Sequence, residues 1–228
     1  MSKVRGEIKV VVSKSEICMM KILIVAATQQ EIQPFIKLNN HIEKLICGVG
    51  IPNTIYHLTK KLSAEKYDAV IQAGIAGSFS KKVKNGDVVA IEKDTFGDIG
   101  AQENKKFKTL FQLGFEDENR FPFTKGWLIN TSGLLLGSPL KKVKAVTINK
   151  INDQKNQTKD LKHIFEPKIE SMEGAAFHFV CMQQNINYLQ IRSISNKVGE
   201  RDKKKWEIEL AINNLNNELI KLINTINK

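Results

Sequence analysis

KILIVAATQQE, residues 21–31, decides the fold. Its first part, 21–26, is apolar without alternation, the pattern of a strand covered on both faces. It passes within three residues into a helical stretch, 29–38, that carries Glu31 in its first turn. The same unit recurs down the chain. Strand-length apolar runs fall at 45–47, 69–73, 87–91, 144–147, 169–172 and 188–194. Helical stretches at 52–66, 104–113, 154–165 and 173–185 lie among them. A last helix over 203–226 sets Ile208, Ile212, Leu215, Leu219, Leu222 and Ile226 on one face. Such alternation predicts an α/β fold, a three-layer single domain with a mostly parallel, mixed central sheet. The stretch 114–140, with Gly114, Pro122, Gly126, Gly133, Gly137 and Pro139, is the richest in loop signals and is expected to form a lid or an interface segment.

A chain of 228 residues suits one domain of the larger sort. No apolar run approaches the ~20 residues of a membrane span, and residues 1–20 lack the apolar core of a secretory signal. Residues 1–19 are expected to be a disordered or spurious extension ahead of a domain spanning 20–228, since Met19 and Met20 directly precede the first strand. Cys18, Cys47 and Cys181 stand far apart without ligand spacing, which points to a reducing, cytoplasmic compartment. The net charge of +11 comes from scattered lysine clusters such as Lys81-Lys82 and Lys141-Lys142. They carry no interleaved aromatics and match no nucleic-acid module, so neither nucleic acid nor membrane is an expected partner.

Three segments carry chemistry. In QAGIAGSF (72–79), Gly74 and Gly77 let backbone approach a ligand or a packed helix closely. The segment lacks the Lys of a phosphate-binding loop. In ESMEGAAF (170–177), Glu173 opens a helix that becomes wholly apolar through Phe177, Phe179 and Val180. A carboxylate there needs a partner, because an unpaired buried charge is costly. Arg192 is one candidate; two vicinal ribose hydroxyls are another. Glu31 has a structural explanation too, in the favourable field at a helix N-terminus. His41, His57, His163 and His178 have no metal-ligand spacing, and His178 inside an apolar helix reads as a core residue. The pattern favours a site built from carboxylates and amides, with neither metal nor cofactor.

Taken together, KILIVAATQQE, QAGIAGSF, GDVVAIEKDTFGD (86–98), ESMEGAAF and IRSISN (191–196) resemble the purine nucleosidase and nucleoside phosphorylase superfamily. Within it the chain is similar to hydrolases related to methylthioadenosine/S-adenosylhomocysteine nucleosidase. TFGDIGAQ (95–102), FPFTKGW (121–127) and SNKVGERDKKKW (195–206) look most like the futalosine hydrolase branch. The resemblance implies a nucleoside phosphorylase-like fold, a nucleoside substrate, water as nucleophile and a homodimer. It implies that Glu31 deprotonates the attacking water and that Glu173 grips the ribose hydroxyls, with Met172 packed on the sugar. Ala76 and Gly77 match backbone positions along the nucleoside, and Trp206 matches an aromatic against the 5′ substituent. Arg192 matches a basic residue before the acid position, and Arg201 joins the substrate-binding set.

At position 196 the chain departs from the adenine-specific pattern, which has an aspartic acid that protonates N7. Asn196 cannot give up a proton, but its NH₂ donates two hydrogen bonds. A 6-oxopurine presents N7 and O6 as adjacent acceptors, so Asn196 favours hypoxanthine over adenine. Asp202 is a candidate displaced acid. The expected reaction is hydrolysis of futalosine to hypoxanthine and dehypoxanthine futalosine, a step of menaquinone biosynthesis. The alternatives are a methylthioadenosine/S-adenosylhomocysteine or aminodeoxyfutalosine nucleosidase, and a non-catalytic nucleoside-binding protein.

Overall fold

A computed structural model describes residues 20–104, 106–151 and 155–226, so the extension expected over 1–19 lies outside the described residues. In chain order the elements are β1 (Ile22–Ala26), α1 (Gln29–Leu38), β2 (Glu43–Ile46), α2 (Ile51–Ala64), β3 (Ala69–Ser78), β4 (Val88–Asp94), β5 (Gly100–Glu103), β6 (Lys106–Thr109) and β7 (Leu128–Ile129). There follow α3 (Gly133–Gly137), β8 (Lys141–Thr147), α4 (Lys155–Phe165), β9 (Ile169–Ser171), α5 (Gly174–Gln183), β10 (Tyr188–Lys197), a 3₁₀ turn (Lys203–Lys205) and α6 (Ile208–Ile226).

The main sheet runs β10-β4-β8-β9-β3-β1-β2, and β10 also pairs with β3. That extra pairing closes β3, β9, β8, β4 and β10 into a ring, with β1 and β2 continuing outward from β3. The sheet is mixed and mostly parallel. β1–β2, β1–β3, β3–β10, β4–β8 and β8–β9 are parallel, whereas β4–β10, β3–β9 and β4–β7 are antiparallel.

Burial on both faces explains the unbroken apolar runs. In β1, Ile22, Ile24 and Ala26 join a core with Ile32 and Phe35 of α1 and Leu215 and Leu219 of α6. The alternate residues Leu23 and Val25 face the other way, onto Leu58 and Leu62 of α2 and Phe177 and Val180 of α5. Successive strand side chains point to opposite faces, so both parities must be apolar. A third cluster, with Ala76, Val89, Ile91, Val143, Ala145, Ile169 and Ile194, groups side chains from all five strands of the ring.

Two helix expectations are corrected. The stretch 104–113 does not form a helix; β5 and β6 make a two-stranded hairpin there. Asn104 at φ 49 takes the left-handed conformation a tight reversal needs. In β6 Phe107 and Thr109 turn inward while Lys106 and Lys108 stay exposed, a period of two. The last helix starts at Ile208 rather than 203, because Asp202 caps a separate 3₁₀ turn by accepting from Lys204 N. The loop-rich stretch 114–140 holds β7 and α3.

Candidate active site

A cavity of about 330 Å³ opens where β1, β3, β9 and β10 end, roofed by Trp206, Ile208 and Ile212. Its wall brings together Glu31, Ala76, Gly77, Met172, Glu173, Asn196 and Trp206. Arg192 is not on the wall, Arg201 is exposed, and no residue of 114–140 lines the cavity. The expected lid is therefore not part of it. Thr28, Ile148, Glu170 and Ser195 line it as well.

Glu31 sits at the third position of α1 in a capping box with Thr28. One carboxylate oxygen accepts from Thr28 N (3.0 Å) and Thr28 Oγ1 (3.2 Å), the other from Ile75 N (3.0 Å). Burial raises its pKa above the ordinary carboxylate value, and the nearby Arg192 guanidinium only partly opposes this. Such a carboxylate is fixed in place and more basic than one in water.

Glu173 precedes α5. Its Oε1 accepts from Gly50 N (3.1 Å) and its Oε2 from Arg192 Nη1 (3.4 Å). The guanidinium, 1% exposed, also donates to Gln72 Oε1 at 2.9 Å. Arg192 thus lies behind the wall as the cation that Glu31 and Glu173 share. Gly74, its register partner, leaves the room: a Cβ there would stand 2.3 Å from Arg192 Nη1 and 3.0 Å from Glu31 Oε1.

Asn196 is aimed by a bulge. Ile194 pairs with Ala76 and Asn196 with Gly77, so Ser195 is an extra residue in β10. Bulges beside sites commonly re-aim a side chain in this way. The Ser195 hydroxyl donates to Asn196 Oδ1 at 2.8 Å, and Asn196 Nδ2 donates to Lys197 O at 3.0 Å. With Oδ1 engaged, the group left for a ligand is the second N–H. Asp202 is exposed, engaged in its cap and absent from the cavity wall.

Trp206 contributes to the roof, held by its Nε1 donating to Glu200 O at 3.0 Å. Among the described residues no group of three or more His, Cys, Asp or Glu is placed to hold a metal ion. No described helix is long and apolar enough to cross a membrane. His178 is fully buried against Leu128 O, and burial lowers its pKa to about 4.

The family model described as "Phosphorylase superfamily" matches residues 21–227, and the chain belongs to that superfamily. It is 27% identical over 176 residues to the futalosine hydrolase of Thermus thermophilus, covering 74% of this chain and 75% of that protein. It is 28% identical over 244 residues to the 5′-methylthioadenosine/S-adenosylhomocysteine nucleosidase of Buchnera aphidicola, covering 91% of each. The native futalosine hydrolase of Helicobacter pylori superposes with a TM-score of 0.75 at 18% identity, over 91% of this chain and 98% of that one. These relatives share the fold, and with its sequence relatives the chain is an N-glycosyl hydrolase.

Proposed function

We propose that this N-glycosyl hydrolase cleaves a 6-oxopurine nucleoside with an aromatic carboxylate extension at 5′, namely futalosine, releasing hypoxanthine and dehypoxanthine futalosine. The observation that carries the purine assignment is the Ser195–Asn196 contact at 2.8 Å. It leaves an N–H donor for the base edge, which suits N7 and O6 and opposes the amino group of adenine. The curated futalosine hydrolases among the relatives support the same reading.

Glycosidic cleavage passes through an oxocarbenium-like ribosyl centre. Glu173 would hold the ribose hydroxyls with the oxygen lone pairs that Gly50 N and Arg192 do not use, placing negative charge beside that centre. Met172, next to it on the wall, packs on the sugar. Glu31 takes the proton of a water attacking the anomeric carbon, a role typically worth ~10²–10⁴-fold. The one N–H that Asn196 has free stabilises the departing base, shared between the adjacent acceptors N7 and O6. Ala76 and Gly77 flank the nucleoside, and Trp206 at the roof meets the 5′ extension. Among the described residues neither Arg120 nor Arg201 approaches the cavity and Arg192 is buried behind it, which supports water rather than phosphate as the nucleophile.

A second reading, cleavage of a 6-aminopurine nucleoside, is favoured by the 91% coverage of the Buchnera nucleosidase. Incubation in phosphate-free buffer with futalosine, its 6-amino analogue, inosine and methylthioadenosine, with the released bases identified, decides between them. Hypoxanthine released fastest from futalosine is the expected result. Faster adenine release from methylthioadenosine would replace the first reading by the second.

A further inference from the structure

Glu170 lies on the cavity wall and is 8% exposed, and among the described residues no donor or cation reaches its carboxyl group. Burial alone acts on it, and pushes its pKa up to about 7. A largely buried carboxyl group without a protein partner is costly when ionised, and a donor brought into the cavity by a ligand would offset that cost.

The register shows where that partner would be. Asn196 on β10, Gly77 on β3 and Glu170 on β9 are successive cross-strand neighbours. Gly77 between them has no side chain. A Cβ built on it would lie 3.1 Å from Val198 Cγ2, 3.5 Å from Asn196 Nδ2 and 3.5 Å from Glu170 Cγ. Without a side chain between them, the Asn196 amide and the Glu170 side chain flank the same stretch of cavity wall at Gly77. Around a 6-oxopurine the polar edge reads N7 acceptor, O6 acceptor, N1–H donor. With the free N–H of Asn196 on the N7/O6 edge, N1–H is the next group along, and only an acceptor can satisfy it. In a 6-aminopurine N1 is itself an acceptor.

We propose that Glu170 is a specificity-determining residue that accepts the N1–H of a 6-oxopurine. The inference rests on the reading above in which Asn196 holds the N7/O6 edge. Selection of the base then has two independent parts, a donor at 196 for O6 and an acceptor at 170 for N1–H. Hydrogen bonds to an ionised acceptor are about twice as strong as neutral ones, so the second part is not a minor one. A site built to satisfy a polar group rejects an analogue lacking it far more strongly than an apolar pocket rejects a shape.

The test reads base binding apart from turnover. Calorimetric titration of the whole protein with hypoxanthine, 1-methylhypoxanthine and adenine is compared between the native chain and Glu170→Gln at pH 8. The native chain is expected to prefer hypoxanthine over each of the other bases by ~10-fold or more. Glu170→Gln keeps the shape, weakens the acceptor and adds an N–H that suits N1 of adenine. Its preference for hypoxanthine over adenine is expected to fall by ~10-fold or more. A preference unchanged within about twofold, or equal losses for all three bases, would overturn the assignment of N1–H to Glu170. Glu170→Asp, which keeps the charge but shortens the reach, guards against a variant that fails to fold; full native discrimination in it would also overturn the proposal. Failure of the functional reading looks different: the native chain would then bind adenine better than hypoxanthine before any substitution is made.

Discussion

The side-chain amide of Asn216 on α6 donates to the backbone carbonyl of Glu31 at 2.9 Å and accepts from the N–H of Phe35 at 2.9 Å. Glu31 and Phe35 are four residues apart and would bond to each other in a regular helix. Here α1 breaks at Ile32 (φ −119, ψ 16), Pro34 offers no N–H, and Asn216 fills the gap. Its second N–H goes to Ile212 O at 2.7 Å, so the 1% exposed amide is fully satisfied. The kink that places Glu31 on the cavity wall is thus held from a helix 185 residues away.

Asn216→Leu would leave the Glu31 carbonyl and the Phe35 N–H buried without partners. We expect a loss of about 2–4 kcal/mol in urea unfolding, with kcat falling as the Glu31 carboxylate shifts. Stability lost without any change in kcat would show that Asn216 supports the helix but not the position of Glu31.

Glu31→Gln should keep nucleoside binding and lose ~10²-fold or more in kcat, because the amide can orient water but cannot take its proton. The native carboxylate has a raised pKa, so the rate should rise with pH through a value above the ordinary carboxylate range. That acid limb of kcat/KM should vanish in the variant. Retention of more than about a tenth of kcat would remove Glu31 from the role of base.

The strands that build the site were legible because burial on both faces leaves continuous apolar runs, as in Ile22–Ala26. The positions of Glu31, Glu173 and Asn196 at the ends of such runs were legible, whereas the roles offered for them rested on the family resemblance, since Glu31 also suits a helix N-terminus and Glu173 also pairs with Arg192. Closure of the ring was not, since β10 pairs with both β3 and β4 and no local pattern in Tyr188–Lys197 announces two partners. The hairpin Gly100–Thr109 was hidden because its charged and polar residues suit a helix as well as a strand. Glu170 alternates with Ser171 in a three-residue strand, too short for periodicity to mark its facing. Asn216 carried a signal that could have been read: it follows Leu215 and stands four residues after Ile212, on the apolar side of α6. Arg201, which only the family resemblance placed in the substrate-binding set, is exposed and absent from the cavity wall.

Asn196→Asp introduces a carboxyl group that protonates N7 when neutral and repels O6 when ionised. It should lower kcat/KM for futalosine and raise it for the 6-amino analogue, a combined shift of about 1–3 kcal/mol in relative terms. Glu170 opposite would limit the gain, since its ionised form still disfavours N1 of adenine. Equal proportional losses on both substrates, measured side by side, would mean that Asn196 supports the bulge at Ser195 and does not read the base.

Asp94 should make the folded state less stable as pH rises from about 4 to about 7. It is fully buried, accepts from Thr95 N (2.8 Å) and Thr147 Oγ1 (3.0 Å), and has Gln190 Nε2 3.5 Å from its other oxygen. Burial raises its pKa from 3.8 to about 7 despite those donors and the Arg192 charge. Among the described residues, Gln190 Oε1 and His178 Nε2 nearby have no hydrogen-bond partner. His178 donates its Nδ1–H to Leu128 O and is neutral, so its Nε2 is an acceptor. Turning the Gln190 amide over would give His178 Nε2 a donor and let a protonated Asp94 donate to Gln190 Oε1, which satisfies all three groups at once. The folded state therefore binds the Asp94 proton more tightly than the unfolded chain. Its stabilisation is fully present below the unfolded value and is lost as pH climbs through about 7, with Glu170 acting in the same sense. Asp94→Asn copies the protonated acid, with an N–H in place of O–H toward Gln190. Urea unfolding should find the variant close to the native chain at pH 5 and more stable at pH 8, by on the order of a few kcal/mol. Glu170 leaves part of the slope in both proteins, so the test is the difference: a slope no smaller in Asp94→Asn than in the native chain would show that Asp94 is ionised throughout and that Arg192 outweighs its burial.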